Sequence, residues 1–104
     1  MAIVYIQEFE IKDGDTSTTN YDAVVAALNL QGPIDGLIVH TAGFDHDAGL
    51  FRILDVWESR AQGQRFIDEQ LNPVLEPMMA AAAEGELAPP TRETWYELHD
   101  TLSG

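Results

Sequence analysis

Apolar and polar positions alternate from residue 2 to residue 11. Ile3, Tyr5, Phe9 and Ile11 share one face, interrupted only by Gln7, while Val4 and Ile6 begin a second face that ends in Glu8 and Glu10. A two-residue period of this kind predicts a strand, here apolar on both faces in its first half. Asp13-Gly14-Asp15 then marks a turn. The period changes at Tyr21, Val24, Val25 and Leu28, whose i, i+3, i+4, i+7 spacing predicts an amphipathic helix. Thr19 and Asp22 approximate a capping box at its start, and Asn29 before Gly32-Pro33 is the expected stop.

Two further apolar runs, 36–44 and 50–58, predict a second and a third strand, joined by the polar hairpin loop Asp45-His46-Asp47-Ala48-Gly49. Ser59-Arg60-Ala61-Gln62 is a capping box that opens a second helical stretch carrying Phe66, Ile67 and Leu71 inward. Pro73 and Pro77 are expected to interrupt or restart it, with Asn72 capping the new turn. Met78-Met79 and Ala80 to Ala83 continue a packing face, Gly85 is the expected helix stop, and Glu84-Gly85-Glu86 reads as a solvated turn. After the linker Leu87-Ala88-Pro89-Pro90, residues 92–99 predict a fourth strand. No repeat or composition break divides the 104 residues, so one domain over 1–104 is expected.

The predicted order is βαββαβ, the ferredoxin-like α+β pattern: a four-stranded antiparallel sheet with both helices on one face. Several strands nevertheless carry apolar residues on both faces: Leu37 and Val39 against Ile38, Ala42 and Phe44, then Leu54 and Val56 against Phe51, Ile53 and Trp57. Burying one large apolar side chain contributes roughly 1.5–3 kcal/mol. The uncovered face therefore calls for a partner, and a two-fold homodimer packed sheet to sheet is the expected one.

Charge narrows the function. Eighteen acidic against five basic side chains give a net charge of -13. So few cations, spread along the chain, speak against nucleic acid and against an anionic membrane as partners. With no cysteine, disulfides, thiolate metal sites and cysteine nucleophiles are excluded. The N-terminus lacks both the basic and the continuous apolar segments of a signal peptide, so a cytoplasmic protein is expected. Neither a Walker sequence, nor G-x-G-x-x-G, nor G-x-S-x-G is present. Asp45-His46-Asp47 offers metal-type side chains, but three adjacent loop residues rarely converge on one ion, and no metal is expected.

The richest position for chemistry is His40, placed mid-strand among Ile38, Ala42 and Phe44. If the hairpin pairs Phe44 with Phe51, then Ala42 meets Ile53, His40 meets Asp55 and Ile38 meets Trp57. Directly opposed residues have Cβ atoms about 4.5–5.5 Å apart, so Asp55 could orient the imidazole as a general base. A slip by one residue would send Asp55 to the other face, and the loop does not fix the register. A satisfied core or interface histidine is the competing role. Tyr5, Gln7 and Tyr96 are candidate polar groups of a substrate pocket. Arg52 is a candidate cation for a carboxylate or enolate, unless an acidic surface neighbour claims it.

In order and spacing, Gly36-Leu37-Ile38-Val39-His40, Val56-Trp57-Glu58-Ser59 and Phe66 on the following helix resemble the dimeric α/β-barrel superfamily, especially its antibiotic biosynthesis monooxygenase-like group. The resemblance implies a homodimer with one small-molecule pocket per subunit between sheet and helices, and it makes Trp57, otherwise a large core or interface aromatic, similar to a pocket tryptophan of some members. It implies no single reaction, because members include cofactor-free oxygenases, polyketide cyclases, lactone isomerases and haem-degrading enzymes. In the haem-degrading members a helical histidine after such a tryptophan ligates iron. Here position 67 is Ile67 and residues 59–84 hold no histidine, so no haem is expected; nothing in the residues visibly binds a flavin or nicotinamide, and the expected cofactor set is empty. Two readings remain: a cofactor-independent monooxygenase, cyclase or isomerase taking a proton from an aromatic or polyketide-like substrate, or a non-catalytic small-molecule-binding or structural homodimer.

Overall fold

The chain builds four strands and a set of helical segments in the order the periodicities predict. The computed structural model describes residues 2–82 and 88–102. Strand β1 (Ile3–Glu10) leads to α1 (Thr19–Leu28), then β2 (Leu37–Asp45) and β3 (Leu50–Trp57) form the hairpin. Helix α2 (Arg60–Phe66), a wider π-helical turn (Ile67–Leu71) and α3 (Asn72–Ala81) follow, and β4 (Arg92–Glu97) closes the sheet. The spatial order is β2-β3-β1-β4, all neighbours antiparallel. This is the ferredoxin-like arrangement, with the helices on one face.

Local chemistry explains the boundaries. Helix α1 is capped by Thr18 rather than Thr19, and the expected capping box is replaced by a bond from the Thr18 hydroxyl to Asp22 at 2.8 Å. Asn29 ends the helix in the left-handed conformation, as expected of an asparagine stop. At α2 the Ser59 oxygen accepts the Gln62 N–H at 3.2 Å, and its hydroxyl donates to the Gln62 side chain at 2.9 Å. The two prolines act differently from one another. Pro73 has no N–H to give to a carbonyl four residues back, and the chain widens just before it, where the Asn72 N–H reaches Ile67 instead. Pro77 lies inside α3 without stopping it, which corrects the expected interruption there. Helix α3 ends at Ala81, with Ala82 already extended, while the Gly85 stop, the Glu84-Gly85-Glu86 turn and Leu87 lie outside the described residues.

Two glycines set the close approaches. Gly36 has φ +82 and sits against Gln62, where a Cβ would come within 2.6 Å of the side-chain amide carbon. Gly63 is buried under Trp57, and a Cβ there would stand 2.9 Å from the indole ring. Trp57 fills this notch with Phe66 tilted against it at 5.6 Å between centroids. Trp57 is 2% exposed and, with Val4, Tyr5 and Val56, belongs to the most buried part of the sheet.

The hairpin register pairs Phe44 with Phe51, Ala42 with Ile53 and His40 with Asp55. It departs from expectation at one place. Leu37, not Ile38, lies opposite Trp57, because a bulge sets two residues of β2 against one of β3 between Leu37 and Val39. The extra residue reverses the alternation, so Leu37 and His40 line one face although three positions apart. Ile38 is left 53% exposed.

Candidate active site

The pairing places one row of side chains across the helix-facing side of the sheet. His40 of β2 lies opposite Asp55 of β3, Asp55 opposite Tyr5 of β1, and Tyr5 opposite Trp95 of β4. The His40 Nδ1–H donates to the Asp55 carboxylate. A carboxylate accepts only, so this contact fixes the proton on Nδ1 and leaves Nε2 with the accepting lone pair. The bond to Asp55 pushes the His40 pKa above its ordinary 6.5, against a smaller opposing effect of burial.

Nε2 has a partner that periodicity marked only as an inward position of the first helix. Tyr21, in the first turn of α1, brings its hydroxyl to 2.6 Å from Nε2. Its ring lies edge-on to Phe51 at 5.7 Å between centroids, and Phe44 and Phe9 extend that cluster at 5.0 and 6.3 Å from Phe51. Burial, then the charges of Asp55 and Asp22, raise the Tyr21 pKa, so the phenol keeps its proton. Asp55, His40 and Tyr21 thus form a chain of three groups in which only the ends of the imidazole are engaged.

Further along the row, Tyr5 donates to the Glu93 carboxylate and stacks on Trp95 at 4.2 Å. Burial first, and the bond to Glu93 second, raise its pKa far above the ordinary phenol range. Gln7, on the same face, acts on that hydroxyl in the opposite sense. The guanidinium of Arg60, at the start of α2, covers the outer side of Trp95 at 4.9 Å. Trp57 lies in the same layer as His40's row, one pair further along β3, and its buried indole N–H has no partner among the described residues.

Two sequence candidates fall elsewhere. Tyr96 pairs with Val4 on the opposite, open face and is 44% exposed. Its strand does neighbour that of Tyr5, but alternation turns Trp95 rather than Tyr96 toward Tyr5. Arg52 is also on the open face, donating to Glu8 at 2.9 Å and to Asp45. Asp45 is held below the usual carboxylate range, first by the Ala48 N–H and then by Arg52. A hollow of about 300 Å³ on that side is lined by Ile6, Thr41, Gly43, Asp45, Arg52 and Leu54. Its walls do not include His40, and Arg52 faces no part of the His40 row. Among the described residues no group of three or more His, Asp or Glu side chains comes together as a metal site. No described helix is long and apolar enough to cross a membrane.

No protein-family model matches the sequence, and no curated protein matches it. Solved structures do. A protein of Chloroflexus aurantiacus, provisionally assigned as an antibiotic biosynthesis monooxygenase, is similar with TM-score 0.65 at 10% identity, over 99% of this chain and 98% of that one. SnoaB, a cofactor-independent oxygenase from Streptomyces nogalater, is similar in a point-mutant form with TM-score 0.63 at 14% identity, over 99% and 98% of the chains. So is NE2512 of Nitrosomonas europaea, a protein of unknown function, with TM-score 0.66 at 20% identity over 99% and 94%. At such identities the likeness is one of fold, along the full length of the chains. The fold of this protein is that of the antibiotic biosynthesis monooxygenase-like structures.

Proposed function

We propose that the protein is a cofactor-independent small-molecule enzyme in which His40 removes a proton from an aromatic or polyketide-like substrate. The observation that carries the reading is the pairing of His40 with Asp55 on the helix-facing side of the sheet. Asp55 holds the tautomer whose Nε2 carries the accepting lone pair and stabilises the imidazolium that forms when Nε2 accepts a proton. The carbanion or enolate left behind can close a ring, return the proton at another carbon, or react with oxygen. These are the cyclase, isomerase and monooxygenase outcomes, and the shared step is the deprotonation. Likeness of fold to a cofactor-independent oxygenase supports the reading. Tyr5, Gln7 and Trp57 lie on the same face and would border the substrate, whereas Arg52 and Tyr96 have no part in this step.

The functional unit we propose is a homodimer packed through the open face of the sheet. Val39 and Tyr96 stand 43% and 44% exposed there, beside Ile6 and Leu54. The second reading, a non-catalytic ligand-binding homodimer, is favoured by one observation: both ring nitrogens of His40 already have partners. The test is proton exchange at the acidic carbon of a candidate substrate, catalysed by the wild type and lost in His40→Ala.

A further inference from the structure

The second partner of His40 has chemical consequences. Tyr21 occupies Nε2, the nitrogen through which a base acts, so a proton bound for Nε2 either passes through the Tyr21 hydroxyl or displaces it. Tyr21 comes from a different element than His40 and Asp55, and Phe51 holds its ring from the side. The groups charged at neutral pH around it are Asp55 behind the imidazole and Asp22 on its own helix.

We infer that Tyr21 is a catalytic proton relay and oxyanion donor, and that the site takes substrates presenting an acidic hydroxyl, a phenol or an enol. The inference rests on His40 acting as a base. In the resting state Asp55 accepts from Nδ1–H and the neutral Nε2 accepts from the Tyr21 O–H. An incoming phenol or enol donates its O–H to the Tyr21 oxygen. As that O–H bond breaks, a new one forms on Tyr21, and the original Tyr21 proton moves to Nε2. One proton has then travelled from ligand to imidazole, Tyr21 is neutral before and after, and its new O–H points at the ligand oxyanion. The imidazolium is flanked by Asp55, and the developing negative charge by a donor already in place. Burial, with the Asp55 and Asp22 charges after it, disfavours the Tyr21 phenolate, so Tyr21 passes the proton on without holding negative charge itself. A ligand acidic only at carbon, with no enol form, gains nothing from this arrangement.

The probe is 4-nitrophenol, whose anion absorbs at longer wavelength than the neutral phenol, titrated into wild type, Tyr21→Phe and His40→Ala near pH 6.5. The wild type is expected to bind it and raise the bound fraction that is ionised. His40→Ala loses the ionisation because no proton acceptor remains. Tyr21→Phe, which keeps the ring against Phe51, binds the anion about tenfold or more weakly, the size of one hydrogen bond to a charged acceptor. Its His40 must still titrate by NMR, which separates a lost donor from a collapsed site. Equal binding and equal ionisation by Tyr21→Phe and wild type would overturn the inference while leaving His40 as the base. Ionisation that persists in His40→Ala would overturn the base itself. Absence of any spectral change with wild type at millimolar 4-nitrophenol would overturn the relay.

Discussion

At the residue scale the site is governed by one imidazole with two partners of different character. Asp55 can only accept, so the proton on Nδ1 is fixed, while the Tyr21 hydroxyl donates to Nε2. The raised pKa of His40 has a defined sign for stability. A folded-state pKa above 6.5 means the Asp55 contact contributes fully below the unfolded value and is lost as pH rises through the folded one. Asp55→Asn is therefore expected to lower the His40 pKa, read from its ring protons by NMR. It should cost stability below about pH 6.5 and almost none at high pH. The loss is less than about 1 kcal/mol, because the His40 side chain is 39% exposed and solvent screens the pair. An unchanged His40 titration in Asp55→Asn would contradict the pairing. The His40–Asp55 contact was legible in the chain only conditionally, through the Phe44–Phe51 pairing. Tyr21 was legible as an inward position of α1, but its hydroxyl was not. A helix face shows which residues point inward, whereas the strand it crosses and the depth at which it does so are tertiary facts.

At the scale of elements the same limit recurs. Alternation predicted all four strands within a residue or two. It could not see the bulge at Ile38, because an extra residue leaves no mark in the apolar pattern of a strand that is apolar on both faces. Strand neighbourhood alone did not fix the face in the fourth strand: Tyr96 was grouped with Tyr5, but the β1–β4 register turns Trp95 inward and Tyr96 out. Helix α2 is positioned by contact rather than by pattern, through the notch between Gly63 and Trp57. Gly63→Ala is expected to destabilise the fold by about 1–3 kcal/mol, as the added methyl pushes on a rigid indole. For a chain of this length the melting temperature falls by at least about 4 °C. A Gly63→Ala variant that melts with the wild type would mean that α2 does not sit on Trp57 as described.

At the scale of the whole molecule the helices cover one face and leave the other to itself. The open face is apolar toward the ends of β1 and β3 that carry Val4 and Val56, and charged toward Glu8, Arg52 and Arg92, which are linked by ion pairs. If this face is the dimer interface, Val39→Glu places an unpaired charge in it. Sedimentation equilibrium is then expected to show a dimer for the wild type and a monomer for the variant. A wild type that sediments as a monomer would remove the proposed dimer without touching the His40 row, which faces the other way. Whether His40 is a base is decided by deuterium exchange into the activated methylene of anthrone, followed by NMR in D2O. Wild type is expected to accelerate exchange over buffer, and His40→Ala to lose about 100-fold or more of that acceleration. Exchange by His40→Ala at the wild-type rate, or a wild type no faster than buffer, would contradict His40 as the base.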